Sequence, residues 1–339
     1  MKNKEESIVN KQLLGQYYTT IDPFSISDAF SAWFNMVPED ETILEPFAGA
    51  GHLFSYINRE WKGYDLEPNH PEVQQRDTLE EFPTGYRVCV TNPPYLAKTV
   101  VSRKRLDALV WKNPVILTHE DLYLDALQLM LDNCEHVAAI IPSTFWNQRL
   151  FKDRLYAWDK FDMKLFSDTD APAGVAYFVP HRVEHTRTFV NGEEIVLTSD
   201  NTPTKTDFHV RFNPRDLAPI LVNGIDTNTQ NNIHLRILQD NDVPSLVNSA
   251  GECKSTNRNH FPIESTMVKE ADLPAINAMI DQWRDETMDF FLTSFKSPMA
   301  SGKYRKRISF MEVRWLLWKF YMPVEEVSQN PLESALYTL

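Results

Sequence analysis

Asn92-Pro93-Pro94-Tyr95 is the segment whose residue types can act on an aromatic amine. The nitrogen of such an amine is a poor nucleophile, because its lone pair is delocalised into the ring. The amide oxygen of Asn92 and the carbonyl of Pro93 can both accept from that NH2, localising the lone pair and aiming it at an electrophile. Two successive prolines stiffen the loop and bring no competing N–H donors. Tyr95 offers a flat face on which a base taken out of its helix can stack. A proline-stiffened turn with a buried tyrosine is the alternative reading of the same four residues. Their position favours chemistry: they stand directly behind the apolar run Arg87–Thr91 and 47 residues after Glu45.

Glu45 opens the second segment of interest, Glu45-Pro46-Phe47-Ala48-Gly49-Ala50-Gly51. Glycines at 49 and 51 allow a tight strand-to-helix turn and close approach of a ligand to the backbone. A plain tight turn would use them equally well. Asp65 adds weight, since it ends the next apolar strand 20 residues after Glu45. An acid at that place can accept both hydrogen bonds of a ribose diol. With acids on both sides and neither a GxxxxGK[ST] nor a GxGxxG pattern, the loop suits a nucleoside cofactor better than ATP or NAD.

The elements that must hold these segments follow from periodicity. Thr42–Leu44, Gly63–Asp65, Arg87–Thr91 and Val137–Ile141 read as buried parallel strands. Between the last two, Leu122–Leu131 reads as a helix, with Thr118 and Asp121 resembling a capping box. His52, Leu53 and the apolar run after them are expected to continue the glycine turn as a helix. Alternating strands and helices predict an α/β, doubly wound, Rossmann-like sheet with its ligand at the carboxyl ends of the strands. Near residue 180 the texture changes. Asn191-Gly192 suits a type I′ hairpin turn, Phe208–Phe212 is a short strand, and Leu273–Phe291 and Met311–Phe320 look helical. Residues 1–180 are expected to form the cofactor-binding catalytic domain, and 181–339 a smaller mixed module.

The chain has 339 residues, enough for a full core, and no run approaching a membrane span. Its first ten residues lack the apolar core of a leader, so a cytoplasmic location is expected. Cys89, Cys134 and Cys253 are too scattered for a disulfide framework or zinc site, and no metal is expected. A net charge of −13 argues against coating nucleic acid by bulk attraction. Locally the balance reverses: from Lys296 to Lys319 there are seven basic residues and one acid, Glu312. Lys303, Arg305, Lys306 and Arg307 form its centre, interleaved with aromatic residues, which suits phosphate contact as well as a solvated helix end. Lys98, Arg103, Lys104 and Arg105, just after Tyr95, can likewise serve phosphates beside an extruded nucleotide or lie in a solvated loop.

In this order the segments resemble the adenine-N6 DNA methyltransferase family in its gamma arrangement, an amino-methyltransferase with an NPPY motif. Gly15-Gln16-Tyr17-Tyr18-Thr19 is similar to that family's N-terminal motif, with Thr20 where proline is usual. The resemblance covers residues 15–95 and fades beyond 180. It implies a Rossmann-like S-adenosylmethionine-dependent methyltransferase fold followed by a target recognition region, with S-adenosyl-L-methionine as cofactor and double-stranded DNA as partner. Tyr17, Tyr18 and Thr19 would line the pocket for its methionine part, together with Glu45, Phe47, Gly49 and Gly51. Asp65 would hold the ribose, and Asp77 would face the adenine amine, although an Asp before Thr78 can also cap the next helix. Asn92, Pro93, Pro94 and Tyr95 would be the catalytic set, working on a flipped adenine without a covalent intermediate. A second aromatic wall would come from Ala173–Val179, which favours Phe178, with Tyr177 and Phe166 as rivals.

The resemblance leaves neighbouring readings open. An RNA adenine methyltransferase or a protein-glutamine methyltransferase uses a similar site. The glutamine enzymes carry an N-terminal helical domain and no long C-terminal module, unlike the 44 residues before Glu45 and the roughly 160 after residue 180 here. Cytosine-N4 enzymes more often have Ser at the place of Asn92. A silent DNA-binding scaffold is the reading from another class, and the intact tetrapeptide speaks against it. A site-specific enzyme of a restriction-modification system, or an orphan or phage enzyme, is the expected setting.

Overall fold

Strands that are apolar on both faces can be buried only inside a sheet covered on both sides. The short runs before residue 180 are of this kind. The computed structural model describes residue 19 and residues 21–97, 118–167 and 169–322, with the backbone alone of residue 296. The expected strands occur as β1 (Ile43–Glu45), β2 (Trp61–Asp65), β4 (Val88–Thr91) and β5 (His136–Pro142), with a short β3 (Val73–Gln75) at the edge. β1 and β4 are buried at every position.

The chain divides into two compact units, one comprising residues up to Val196 together with Ser294–Tyr304, the other Leu197–Thr293 with the residues from Arg305 onward. With β6 (Leu155–Lys160), β7 (Ala173–Phe178), β8 (Arg187–Val190) and β9 (Glu193–Ile195), the first is built on a nine-stranded sheet in the order β3-β2-β1-β4-β5-β7-β6-β8-β9. β1 to β5 run parallel, which is the doubly wound α/β arrangement expected. β7 (Ala173–Phe178) is inserted antiparallel between β5 and β6 (Leu155–Lys160), a reversal that the sequence pattern did not announce.

A first helix, α1 (Asp28–Phe34), is capped by Ser27, whose hydroxyl accepts from the Phe30 amide. Its Trp33 is buried in the core with Val88, Val90, Ala138 and Ile140. The Trp33 indole donates to the carbonyl of Phe178 at 2.9 Å. α2 (Leu122–Asn133) matches the helix read from periodicity, but its start differs. Asp121 makes no side-chain cap; Thr118 donates instead, through its amide and its hydroxyl, to Asp125 in the first turn. The run after Gly51 forms only a four-residue 3-10 turn, His52–Ser55, rather than a helix.

The Asn191-Gly192 turn joins β8 (Arg187–Val190) and β9 (Glu193–Ile195) with φ of 51° and 87°, the left-handed pair a type I′ turn demands. The hairpin belongs to the first unit, not to the module expected from residue 181, because β8 pairs with β6 and extends the main sheet. Asp159, fully buried, clamps the turn: it accepts from the Gly192 amide at 3.0 Å and the Ser27 hydroxyl at 2.6 Å. Desolvation raises its pKa to about 6 despite these two bonds.

The second unit is a four-stranded antiparallel sheet in the order β10-β13-β11-β12, formed by Arg211–Phe212, His260–Glu264, Ile220–Asn223 and His234–Ile237 respectively. A one-turn helix α3 (Val243–Leu246) precedes β13. One sheet face packs Val222, Leu235, Phe261 and Ile263 against Ile276, Ile280 and Trp283 of α4 (Leu273–Glu286) and Val313, Leu316 and Leu317 of α5 (Phe310–Tyr321). α4 ends short of the expected Phe291, since Met288 and Asp289 adopt left-handed φ of 46° and 57°. α5 begins at a capping box between Ser309 and Glu312. β14 (Thr293–Pro298) and β15 (Tyr304–Arg307) form a two-stranded ribbon.

Gly192 supplies the stability test of the first unit. A Cβ there would lie 1.9 Å from the Ile26 carbonyl oxygen, on backbone already at φ 87°. Gly192→Ala is expected to cost about 2 kcal/mol or more. Gly85→Ala shares the left-handed conformation with nothing within 4 Å, so it isolates the conformational cost. Equal losses in thermal melts of the two variants would show that the turn does not pack on Ile26.

Candidate active site

β1 and β4 are neighbours in parallel register, Ile43 beside Val88 and Leu44 beside Cys89. Paired strands lie about 4.8 Å apart. The turn after Glu45 and the loop after Thr91 therefore leave the sheet side by side, at the carboxyl edge where doubly wound sheets bind ligands. β2, on the other side of β1, delivers Asp65 to that edge.

The glycine turn is fixed by backbone bonds. The Ala48 amide donates to the Tyr64 carbonyl at 2.8 Å, and the Gly49 amide to the Asp65 carboxylate at 2.8 Å. Gly49 and Gly51 take φ of 50° and 70°, which explains glycine at both. The second oxygen of Asp65 accepts from the Glu67 amide at 2.8 Å. Thus the acid read as a ribose ligand also ties β2 to the turn. Phe47 is half-buried beside it.

Glu45 is 2% exposed, and among the described residues its Oε2 has no hydrogen-bond partner. Burial, and then the nearby Asp65 carboxylate, push its pKa well above the ordinary range. A buried acid without a donor beside a second acid is poised to accept a cation or an NH donor. This orphan oxygen, together with the open-φ glycine turn, fits a positively charged nucleoside ligand.

Thr78 was not singled out from sequence. Its hydroxyl, almost fully buried, donates to the Pro46 carbonyl at 2.8 Å and brings the Asp77 segment against the turn. Asp77 itself accepts from the Leu79 amide at 3.1 Å and holds a short turn, the local role that the sequence left open, although no helix follows. Such a threonine carries no spacing signal, because its partner is a carbonyl 32 residues away.

The Asn92 amide nitrogen donates to the Thr19 hydroxyl at 3.4 Å. Thr19 also bridges Phe166 in antiparallel fashion. Pro93 is buried, while Asn92, Pro94 and Tyr95 are half-buried. The tetrapeptide is therefore not sealed off. Tyr95 donates its hydroxyl to the Ile140 carbonyl on β5 at 2.6 Å. Its ring meets those of Phe166 and Tyr123 edge-on, with centroids 6.1 Å and 6.3 Å away.

Phe178 does not reach this edge. In the antiparallel β5–β7 pair it stands opposite Val137, at the amino end of β5, whereas Asn92 follows the carboxyl end of β4. It is fully buried against Phe145, and Tyr177 is a core residue within 3.4 Å of the Ser27 hydroxyl. Among Phe166, Tyr177 and Phe178, Phe166 is the one beside Tyr95.

The basic run is split by strand alternation. Lys303 is exposed and Arg305 and Arg307 are half-buried, but Lys306 is 1% exposed. Tyr304 and Lys306 share the inward face of β15, so Lys306 cannot offer its charge to a phosphate in this conformation. Tyr17, Tyr18, Lys98, Arg103, Lys104 and Arg105 lie outside the described residues.

No protein-family model and no curated protein matches the chain. Among solved structures it is similar to a candidate class I S-adenosylmethionine-dependent methyltransferase from Listeria monocytogenes, at 10% identity over 56% of this chain and 72% of that one, with a TM-score of 0.36. It is similar also to a type I restriction-modification methyltransferase subunit from Streptococcus thermophilus, at 16% identity over 55% of this chain and 51% of that one, with a TM-score of 0.36. A modification subunit of a candidate type I restriction enzyme from Vibrio vulnificus aligns at 14% identity over 58% of this chain and 51% of that one, TM-score 0.35. The match spans about half the length of each of these two subunits.

Glu45 makes a pH test possible. A carboxyl whose pKa rises on folding gives its full stabilisation below its ordinary pKa of 4.5, and that stabilisation is lost as pH climbs through the folded value. Glu45→Gln is therefore expected to gain on the wild type in thermal melts as pH is raised from 4 to 8. A constant difference in melting temperature across that range would refute the buried, displaced carboxyl.

Proposed function

We propose that this chain transfers a methyl group from S-adenosyl-L-methionine to N6 of an adenine flipped out of double-stranded DNA. The observation that carries the reading is the convergence of three segments far apart in sequence. Thr19, the Glu45–Gly51 turn and Asn92–Tyr95 meet at one edge of the sheet through the β1–β4 pairing and the Asn92–Thr19 hydrogen bond.

Glu45, Phe47, Gly49, Gly51 and Asp65 would hold the cofactor, with Tyr17, Tyr18 and Thr19 over its methionine part. When bound, it supplies an electrophilic methyl group on a sulfonium. The orphan Glu45 oxygen suits that positive charge, and Asp65, at the end of β2 beside the glycine turn, would accept from a ribose hydroxyl. Asn92 and Pro93 would accept from the target amine and turn its lone pair out of conjugation. Tyr95, its hydroxyl tethered to Ile140 and its edge braced by Phe166, would stack on the extruded base. A fixed ring needs less ordering when the base arrives.

The target nitrogen would take the methyl as the bond from that carbon to the sulfonium sulfur breaks, leaving a neutral thioether, and the displaced N–H proton would pass to solvent. A direct, in-line transfer needs no covalent bond to the chain. The setting we infer is site-specific modification of DNA, within a restriction-modification system or as an orphan or phage enzyme, with Lys303, Arg305 and Arg307 as its proposed phosphate contacts.

The test is incubation with labelled cofactor and duplex DNA, RNA and protein in separate reactions. Label is expected in duplex DNA as N6-methyladenine. Asn92→Ala should reduce that incorporation by about 100-fold or more while cofactor affinity stays near wild type. Label in RNA or protein alone, or full activity of Asn92→Ala, overturns the reading. Cofactor affinity should also rise with pH, because binding a cation beside Glu45 releases the proton that burial holds there. Calorimetry in two buffers of different ionisation enthalpy should detect this proton release in the wild type and not in Glu45→Gln.

A further inference from the structure

We propose that one end of the second unit's sheet is the surface that reads base edges of duplex DNA, with Asn228, Gln230, Asn231, Arg258 and His260 as its reading side chains. This rests on the methyltransferase reading for its choice of partner. It assigns the reading to residues outside the basic Lys296–Lys319 run.

Two loops meet at this end. Across the sheet, Asn223 of β11 pairs with His234 of β12 on one side and His260 of β13 on the other. The β11–β12 loop and the segment leading into β13 therefore emerge together. They touch backbone to backbone: the Gly224 amide donates to the Asn259 carbonyl at 2.6 Å. A Cβ at Gly224 would come within 3.1 Å of the carbonyl oxygens of both Arg258 and Asn259. Only glycine leaves the two loops this close.

Their composition is unusual for a chain of net charge −13. Thr227-Asn228-Thr229-Gln230-Asn231-Asn232-Ile233-His234-Leu235-Arg236 and Lys254-Ser255-Thr256-Asn257-Arg258-Asn259-His260 contain no Asp or Glu. They are rich in amide, imidazole and guanidinium groups, the chemistry that pairs with adenine and guanine edges in the major groove. Asn228, Gln230, Asn231, Arg258 and His260 are all exposed.

The surface is also held rigid. Beneath the first loop, Asp226 is fully buried and bound by both terminal nitrogens of Arg284 at 2.9 and 2.8 Å. Its Oδ1 accepts from the Asn232 amide at 2.8 Å, closing the loop across its base, and the Thr227 amide donates to the Gln230 carbonyl at 3.1 Å. On the sheet, Asn223 donates through Nδ2 to His234 Nε2 at 3.1 Å and accepts from His260 Nδ1 at 3.3 Å and Arg236 Nε at 3.3 Å. The amide thus sets the His260 tautomer, leaving Nε2 as the acceptor nitrogen of an exposed ring. Arg236 is itself clamped by Asp242 at 2.7 Å through both its terminal nitrogens. Arg258 lies over the Phe310 ring, its guanidinium carbon 4.5 Å from the centroid, which orients its plane. Polar groups fixed before contact discriminate best, because a mismatched base leaves them unpaired.

The experiment is selection from a random duplex DNA pool by the full chain, followed by sequencing, alongside methylation of the same pool. The wild type is expected to enrich a defined motif. Asn228→Ala/Gln230→Ala/Asn231→Ala and, separately, Arg258→Ala are each expected to relax at least one motif position by about 10-fold. Their cofactor affinity should remain that of the wild type, and both should still unfold in one cooperative transition. Because the changed side chains are exposed and two independent variants are used, misfolding of one leaves the other decisive. An unchanged motif in the folded variants overturns the inference, and so does a wild type that enriches no duplex motif or prefers RNA. Enrichment without methylation would sink the methyltransferase reading while this surface stands; methylation with an unchanged motif would do the reverse.

Discussion

The parallel pairing of β1 with β4 is the constraint from which the site follows. A parallel strand is buried on both faces, so its side chains serve the core and its functional groups must gather where the backbone leaves the sheet. Pairing Ile43 with Val88 puts two such exits side by side, and pairing of β1 with β2 adds Asp65. The apolar neighbours that make these strands stable also desolvate Glu45, whose displaced pKa is a direct consequence of standing at the last buried position of β1. The sheet thus provides position and low polarity in one act, and the glycine turn supplies the backbone freedom that lets Asp65 hold it.

What the sequence disclosed, and what it withheld, divides along the range of the interactions. The four central parallel strands, α2 and the type I′ turn at Asn191-Gly192 are encoded in contiguous residues, and periodicity or φ preference was enough to read them. The antiparallel β7 is set by pairing with residues some 35 positions earlier, Val137 with Phe178 and Pro142 with Ala173, and no local pattern carries a strand's direction. Direction decides which end of the strand reaches the site, and it sets Phe178 opposite Val137 at the amino ends of the strands, away from Tyr95. Phe166 stands in an irregular segment and had only its aromatic type to recommend it. The same reasoning covers Thr78, whose hydroxyl finds Pro46 through the fold alone.

Charge was legible as a sum and not as a direction. Lys303 to Arg307 reads as a basic patch when counted, yet β15 alternates, and Lys306 turns inward to join the buried face with Tyr304. Conversely, the acid-free loops around Asn228 and Arg258 are unremarkable when read singly, since neither is strongly basic. Their joint character arises only when β11 pairs with both β12 and β13. The hairpin at 187–195 gives a third instance: its turn was evident, while its attachment to the main sheet depends on the distant strand β6.

The two units answer opposite demands on polar side chains. In the first, a sheet buried on both faces leaves its polar chemistry at the strand ends, where few groups can be held at a time. The second packs one sheet face on α4 and α5, and its polar side chains gather at the strand ends, around Asn223, His234 and His260. Such polar side chains specify geometry only if something beneath them is immobile. The Arg284–Asp226 pair meets that need: removing either partner would strand a buried charge, so the arrangement is strongly held even where its net contribution to stability is small. A carboxylate used in this way is also kept off the surface, since Asp226 is buried and bound by Arg284 below the loop rather than displayed on it. The loop segments 227–236 and 254–260 thus carry no acid of their own in a protein that is acidic overall.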